Sequence, residues 1–210
     1  EEVDPASLPD GLMSVPGCFD ALPDHYCQRG CAVYSREFTL DQSWRKAWLK
    51  IDGMGLRSCF YLDGKKIGGC ALPYSTFELE LGSLEAGKHS LTALIDNNFH
   101  PEKMKLFLPN YDFYAFGGFY HGVALRLSEV DNPLDRIFVR TVDYVARRIS
   151  LEFIFKGFRP DEFTAELSIN HESWKEYTIR NGILELNRED LALWAPESPN
   201  LHTLQVRIGK

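Results

Sequence analysis

The 210-residue chain has no apolar run approaching the ~20 residues that a bilayer-spanning helix needs. Lys and Arg never gather into a block, and the formal net charge is -7, which argues against a nucleic-acid surface. The first residues, Glu1-Glu2-Val3-Asp4-Pro5, are acidic and have neither the basic start nor the apolar core of a secretory signal. The glycine-rich nucleotide-binding patterns are absent, and so are the His-Glu-x-x-His zinc motif and the Gly-x-Ser-x-Gly nucleophile motif. No segment sustains a 3.6-residue apolar period over a useful length, so long amphipathic helices are excluded. Internal repeats and low-complexity tracts are also missing.

Cysteine is scarce and odd in number: Cys18, Cys27, Cys31, Cys59 and Cys70. An odd count does not complete a disulfide framework. Asp63-Gly64 is a two-residue hairpin signal between Cys59 and Cys70. Counting outward from a Leu62–Lys65 pair puts Cys59 opposite Gly68, so the two thiols sit diagonally, a poor disulfide geometry. His25, Cys27 and Cys31 have no zinc-template spacing and no evident fourth ligand. No metal and no cofactor is expected. Unpaired thiols suit a reducing compartment, and the chain is expected to be soluble, cytoplasmic or periplasmic, with no membrane or nucleic-acid partner.

What the chain does have is β pattern. Apolar residues make up 44% and charged residues 25%, an ordinary globular composition. Period-2 alternation predicts strands over 32–40, 46–51, 57–62, 65–69, 77–81, 89–96 and 123–127. Ser128-Glu129-Val130-Asp131-Asn132-Pro133 reads as a boundary. Beyond it, strands are predicted over 136–144, 148–155, 163–169, 174–179, 183–186 and 201–208, with Asn181-Gly182 as a second hairpin signal. Turn spacing of roughly eight to twelve residues suits a seven-strand sandwich. The expected division is 1–130 and 131–210.

One long loop, 97–122, interrupts this pattern. It contains Asn110-Tyr111-Asp112-Phe113-Tyr114-Ala115-Phe116-Gly117-Gly118-Phe119-Tyr120-His121-Gly122, in which six of thirteen residues are aromatic and Asp112 is the one carboxylate. A loop this long is usually functional or disordered, and this one is too aromatic for disorder. Ring faces beside a carboxylate suit a sugar, whose C–H faces stack and whose hydroxyls donate. The same residues also suit a packed loop in which Asp112 closes an Asx-turn on its own backbone. Gly117 and Gly118 suit positive φ or close backbone approach. Asp96 and Asn97 are expected to tie the start of the loop to its own backbone.

Several short motifs, in order, resemble glycoside hydrolase family 2, which includes β-galactosidases, β-glucuronidases and β-mannosidases. They are Val15-Pro16-Gly17, Tyr34-Ser35-Arg36-Glu37-Phe38, Phe60 to Gly68 around Asp63-Gly64, Phe77-Glu78, Leu94-Ile95-Asp96-Asn97, Asp112 to Tyr120, and Leu193 to Leu204 with its Trp194, Pro196 and Pro199. His121 stands where that family usually has Arg, and His202 where it usually has Tyr. The family's first strand, ahead of the Val-Pro-Gly turn, is missing or very short here.

The resemblance implies an all-β chain: a jelly-roll β-sandwich like a galactose-binding domain over 1–130, then an immunoglobulin-like β-sandwich over 131–210. It implies that Asp112 binds substrate by accepting hydrogen bonds from sugar hydroxyls. Tyr111, Phe113, Tyr114, Phe116, Gly117 and Gly118 would line the pocket or pack the loop on a neighbouring domain. The implied partners are a carbohydrate and the (β/α)8 barrel of the same parent chain, a domain of ~250 residues. That barrel carries the family's two catalytic glutamates and is absent from these 210 residues. A free-standing carbohydrate-binding module and a structural sandwich pair with no sugar role remain open.

Retaining hydrolysis needs two carboxyl groups about 5–5.5 Å apart. Glu78 and Glu80 share a strand face but alternate outward toward solvent, and the Asn-Glu dipeptide of the family's acid/base occurs nowhere. No residue here is expected to be catalytic. The purified 210-residue chain is therefore expected to release no nitrophenol from nitrophenyl β-galactoside or β-glucuronide above a buffer control; measurable turnover would overturn this.

Overall fold

The structure is a computed structural model that describes residues 11–99 and 115–209. The chain divides into two compact units, Glu1–Glu129 and Val130–Lys210.

The first unit is built from β1 (Gly17–Cys18), β2 (Cys31–Leu40), β3 (Trp44–Ile51), β4 (Arg57–Leu62), β5 (Lys65–Cys70), β6 (Phe77–Leu84), β7 (Gly87–Asp96), β8 (Gly118–Phe119) and β9 (Val123–Ser128). One sheet has the order β2-β7-β4-β5, the other β6-β3-β9, and β1 pairs with β8. All pairings are antiparallel. Alternation puts Leu49 and Ile51 of β3 on the inner face, where they meet Phe60 of β4 and Ala93 and Ile95 of β7. Phe60, Ile51 and Ile95 are fully buried. A second apolar cluster, Leu40, Ala47, Leu62 and Leu84, fills another part of the sandwich. This is the jelly-roll sandwich.

Register departs from expectation in one hairpin. Asp63 (φ 51°) and Gly64 (φ 77°) make the two-residue turn and Leu62 faces Lys65, as expected. A bulge then inserts one extra residue of β5 between the pairs Tyr61–Lys66 and Phe60–Gly68. Cys59 therefore faces Gly69, not Gly68, and Cys70 faces Ser58. All five cysteines are free thiols.

The second unit contains β10 (Leu134–Asp143), β11 (Arg148–Phe155), β12 (Glu162–Ile169), β13 (Lys175–Arg180), β14 (Ile183–Asn187), β15 (Trp194–Ala195), β16 (Ser198–Pro199) and β17 (Leu204–Ile208). The hydrogen-bonded order is β10-β11-β14-β13-β12-β17. β13 and β14 share the single pair Arg180–Ile183. The sheet folds over at that corner, where Asn181 (φ 51°) and Gly182 (φ 70°) turn the chain. Leu151 and Phe153 of β11 then face Ala165 and Leu167 of β12 and Ile179 of β13 in one core. Six regular strands and the short β15–β16 pair replace the seven expected, and the last strand starts at Leu204 rather than Leu201. The Asn200 amide explains the delay: it donates to the Leu193 and Ser198 carbonyls and holds 193–200 as a separate small hairpin.

The Asp63 hairpin is also an electrostatic joint. The Asp63 carboxylate accepts from the Ser90 N–H at 2.8 Å and meets His89 Nδ1 at 2.8 Å, while His89 Nε2 lies 2.9 Å from the Glu85 carbonyl. Both ring nitrogens face acceptors, so the imidazolium satisfies both at once. The ring stacks on Phe38 and its side chain is 11% exposed. The Glu85 carbonyl, then Asp63, holds the His89 pKa above its ordinary 6.5. The His89 bond, then the Ser90 N–H, holds Asp63 below its ordinary 3.8.

A raised His pKa contributes stability that is full below pH 6.5 and is lost as pH rises through the raised value. The lowered Asp63 pKa contributes above pH 3.8 and is lost as pH falls through the lowered value. The melting temperature of the chain should therefore exceed that of His89→Gln most at about pH 5.5, the gap shrinking toward about pH 9. A gap independent of pH would show that the pair carries no charge.

Candidate functional site

The 97–122 loop leaves the end of β7 and returns through β8. Asp112, with Tyr111, Phe113 and Tyr114, lies outside the described residues. The two roots of the loop, 97–99 and 115–119, are described, and they meet.

At the first root, Asp96 behaves as a local turn residue. Its Oδ1 accepts from the Asn98 N–H and side-chain amide, each at 2.9 Å. Its Oδ2 accepts from Arg57 Nη2 at 2.8 Å, and the same nitrogen donates to the Asn98 carbonyl at 2.7 Å. Burial by itself would raise the Asp96 carboxyl, but the Arg57 and Asn98 donors outweigh it and leave it below the usual carboxylate range.

Asn97 departs from expectation: it ties the loop to a distant segment, not to its own backbone. It is fully buried. Its N–H donates to the Gly30 carbonyl and its Oδ1 accepts from the Gly30 N–H. Its Nδ2 donates to Asp20 Oδ2 at 2.7 Å.

At the second root the backbone runs against other backbone. Gly117 N–H lies 3.1 Å from both Asp20 oxygens, and its carbonyl accepts from the Phe19 N–H. A Cβ on Gly117 would sit 2.6 Å from the Phe19 ring and 2.8 Å from Asn97 Cβ. Gly118 has φ +115°, and its carbonyl accepts from the Gly55 N–H at 2.7 Å. β8 pairs with β1, so Gly17, the last residue of the Val-Pro-Gly segment, and Cys18 are the strand partners of the returning root. Phe119 then enters the core, 5.1 Å from the Tyr34 ring. Burial, with Cys18 and Asp20 adding, pushes the Tyr34 phenol up to about 12.

Around these roots lie exposed rings. Phe116 is 42% and Phe99 46% exposed, and the Arg29 guanidinium covers the Phe99 ring at 4.2 Å. Tyr74 packs on Tyr120 at 5.4 Å. The outward glutamates are ion-paired: Glu78 with Arg126 at 2.9 Å and Glu80 with Lys46 at 2.8 Å. Among the described residues no group of three or more His, Cys, Asp and Glu could hold a metal ion, and no helix is long and apolar enough to cross a membrane. Sequence reading missed Asp20, Arg29 and Gly55. Asp20 and Arg29 lie in an irregular stretch with two short 3-10 turns, Phe19–Ala21 and Pro23–His25, where periodicity carries no signal.

No protein-family profile matches the chain. Curated relatives do. A putative β-glucuronidase of Formosa agariphila is 22% identical over 198 residues, covering 87% of this chain and 18% of that protein. A β-galactosidase of Actinobacillus pleuropneumoniae is 23% identical over 183 residues, covering 84% of this chain and 17% of its own. The crystal structure of a GH2 β-galacturonidase from Eisenbergiella tayi superposes with a TM-score of 0.74 at 25% identity, over 93% of this chain and 36% of that one. The resemblance to glycoside hydrolase family 2 holds in sequence and in fold. The chain spans about a fifth of the length of these curated relatives. Its β-sandwich fold is similar to that of the family 2 β-galacturonidase.

Gly55 is a position at which this packing admits little change. A Cβ there would lie 2.7 Å from Gly117 Cα and 2.9 Å from Gly118 N, both backbone atoms. Gly55→Ala is expected to destabilise the fold by about 1–3 kcal/mol, the range for forced overpacking. Urea denaturation reads this as a lowered midpoint; an unchanged midpoint would show that the backbone yields freely.

Proposed function

We propose that this chain is the non-catalytic amino-terminal part of a family 2 retaining exo-glycosidase, acting on a β-glucuronide- or β-galactoside-type substrate. In this reading the jelly roll presents Asp112 to the sugar subsite and the second sandwich supports the catalytic barrel of the same parent chain. The observation that carries it is a match over most of this chain to about a fifth of glucuronidase- and galactosidase-type relatives. The tightly packed loop roots support it, because a residue on a loop acts only as well as its scaffold holds it.

The role of Asp112 follows from its chemistry. An ionised carboxylate accepts hydrogen bonds from neutral hydroxyls, and such charge-assisted bonds are worth ~1.5–3 kcal/mol. A bond that tightens as the ring distorts toward the transition state lowers the barrier rather than only aiding binding. Tyr111, Phe113, Tyr114 and Phe116 would wall the same subsite or seat the loop on the barrel.

Asp112→Asn in the full-length gene product tests this. It keeps the volume and one acceptor oxygen but removes the charge. The expected loss is ~1–2 kcal/mol of transition-state stabilisation, roughly fivefold to thirtyfold in kcat/KM, with kcat carrying most of it and the melting temperature unchanged. Unchanged kcat/KM with a lowered melting temperature would retire the sugar contact and make Asp112 a turn residue.

A further inference from the structure

Two side chains from the irregular segment before β2 each touch both roots of the loop. Asp20 is fully buried. It accepts from Asn97 Nδ2 at the first root, at 2.7 Å, and from the Gly117 N–H at the second, at 3.1 Å to each oxygen. Arg29 repeats the bridge from the donor side. Its Nη1 donates to the Asn97 carbonyl at 3.1 Å and to the Ala115 carbonyl at 2.8 Å. A side chain bonded to one root would stabilise the fold. A side chain bonded to both sets the distance between them. The two bridges are chemically complementary: an acceptor-only group gathers two donors, and a donor-only group gathers two carbonyls.

Nearby backbone conformation shows that the roots are held in place. Ala115, 3% exposed, takes φ 59°, which a non-glycine residue adopts at a cost. Gly117 has no room for a Cβ on the side of Phe19 and Asn97.

We propose that Asp20, seconded by Arg29, is a positioning residue for the sugar contact: by spanning Asn97 and Gly117 it fixes the two points from which Asp112 is presented. This rests on the reading of Asp112 given above. Asp20 touches no substrate; it acts through the geometry of the roots. Replacing it by Asn keeps the volume but turns an N–H donor toward the Gly117 N–H or the Asn97 amide, where only acceptors fit.

The test is a double-mutant cycle in the full-length gene product. It compares Asp20→Asn, Asp112→Asn and the pair, with kcat and KM on nitrophenyl β-glucuronide, or on nitrophenyl β-galactoside if that is the one cleaved. All assays run well below the melting transition. Asp20→Asn is expected to lower kcat/KM about tenfold or more, and to cost less than about twofold further once Asp112 is already Asn, because residues acting through one contact are not additive. Wild-type kcat/KM in a folded Asp20→Asn with only a lowered melting temperature would overturn the proposal and leave the Asp112 reading standing. Losses that multiply in the double variant would also overturn it, since Asp20 would then act by another route. An inert Asp112→Asn would overturn both readings together. Should Asp20→Asn not fold, Arg29→Met decides: it removes the second bridge and keeps the apolar stem. A severalfold loss that vanishes in the Asp112→Asn background supports the positioning role, and full activity overturns it.

Discussion

The Asp20 carboxylate is the constraint around which the first unit closes. It lies in a segment with almost no regular structure, yet it is fully buried and its partners come from two later parts of the chain, Asn97 and Gly117. Buried polar groups are costly unless bonded. Asp20 meets that condition with donors from the end of β7 and the start of β8. The burial of Asp20 therefore depends on donors from both roots of the long loop.

This dependence explains why the glycines stand where they do. Gly55, Gly117 and Gly118 stack backbone on backbone, and a Cβ at any of the three would meet other atoms at under 3 Å. The gap is narrow because β1 and β8 pair on one side while the Gly55 N–H reaches the Gly118 carbonyl on the other. The Gly-Gly pair is a wedge between two layers of chain. Phe119, immediately after it, is the anchor that commits the returning strand to the core.

Much of the scaffold was legible from local pattern. Asp63-Gly64 and Asn181-Gly182 are turns whose chemistry is local: both central residues take positive φ, and Gly tolerates this at the second position. Strand alternation located the strands that carry Ile51, Phe60 and Ile95, because a period-2 pattern is also local. Legibility ended where a partner lay far off in sequence. The bulge that moves Cys59 opposite Gly69 adds one residue on a single strand, which no alternation count shows. Asn97 was readable as a turn residue, and its neighbour Asp96 is one. What sends Asn97 elsewhere is a carboxylate 77 positions away. Arg29 sits in an irregular stretch, and only its bonds to Asn97 and Ala115 give it a role.

The energetics separate a scaffold device from a stabilising one. A buried carboxylate gains little net stability over well-packed apolar groups of similar volume, because desolvation offsets most of its bonding. Phe19, beside Asp20, already supplies apolar contact to Gly117. Another apolar side chain at position 20 could bury as much surface, but it could not hold the two loop roots at defined points. Directional acceptors do that, since an N–H donor tolerates little angular error. Arg29 reinforces the same span from the partly exposed side with two carbonyl bonds. Two polar bridges across one gap are poor value as stability and good value as geometry. Geometry is what a loop needs when one of its side chains must meet a ligand at hydrogen-bond distance.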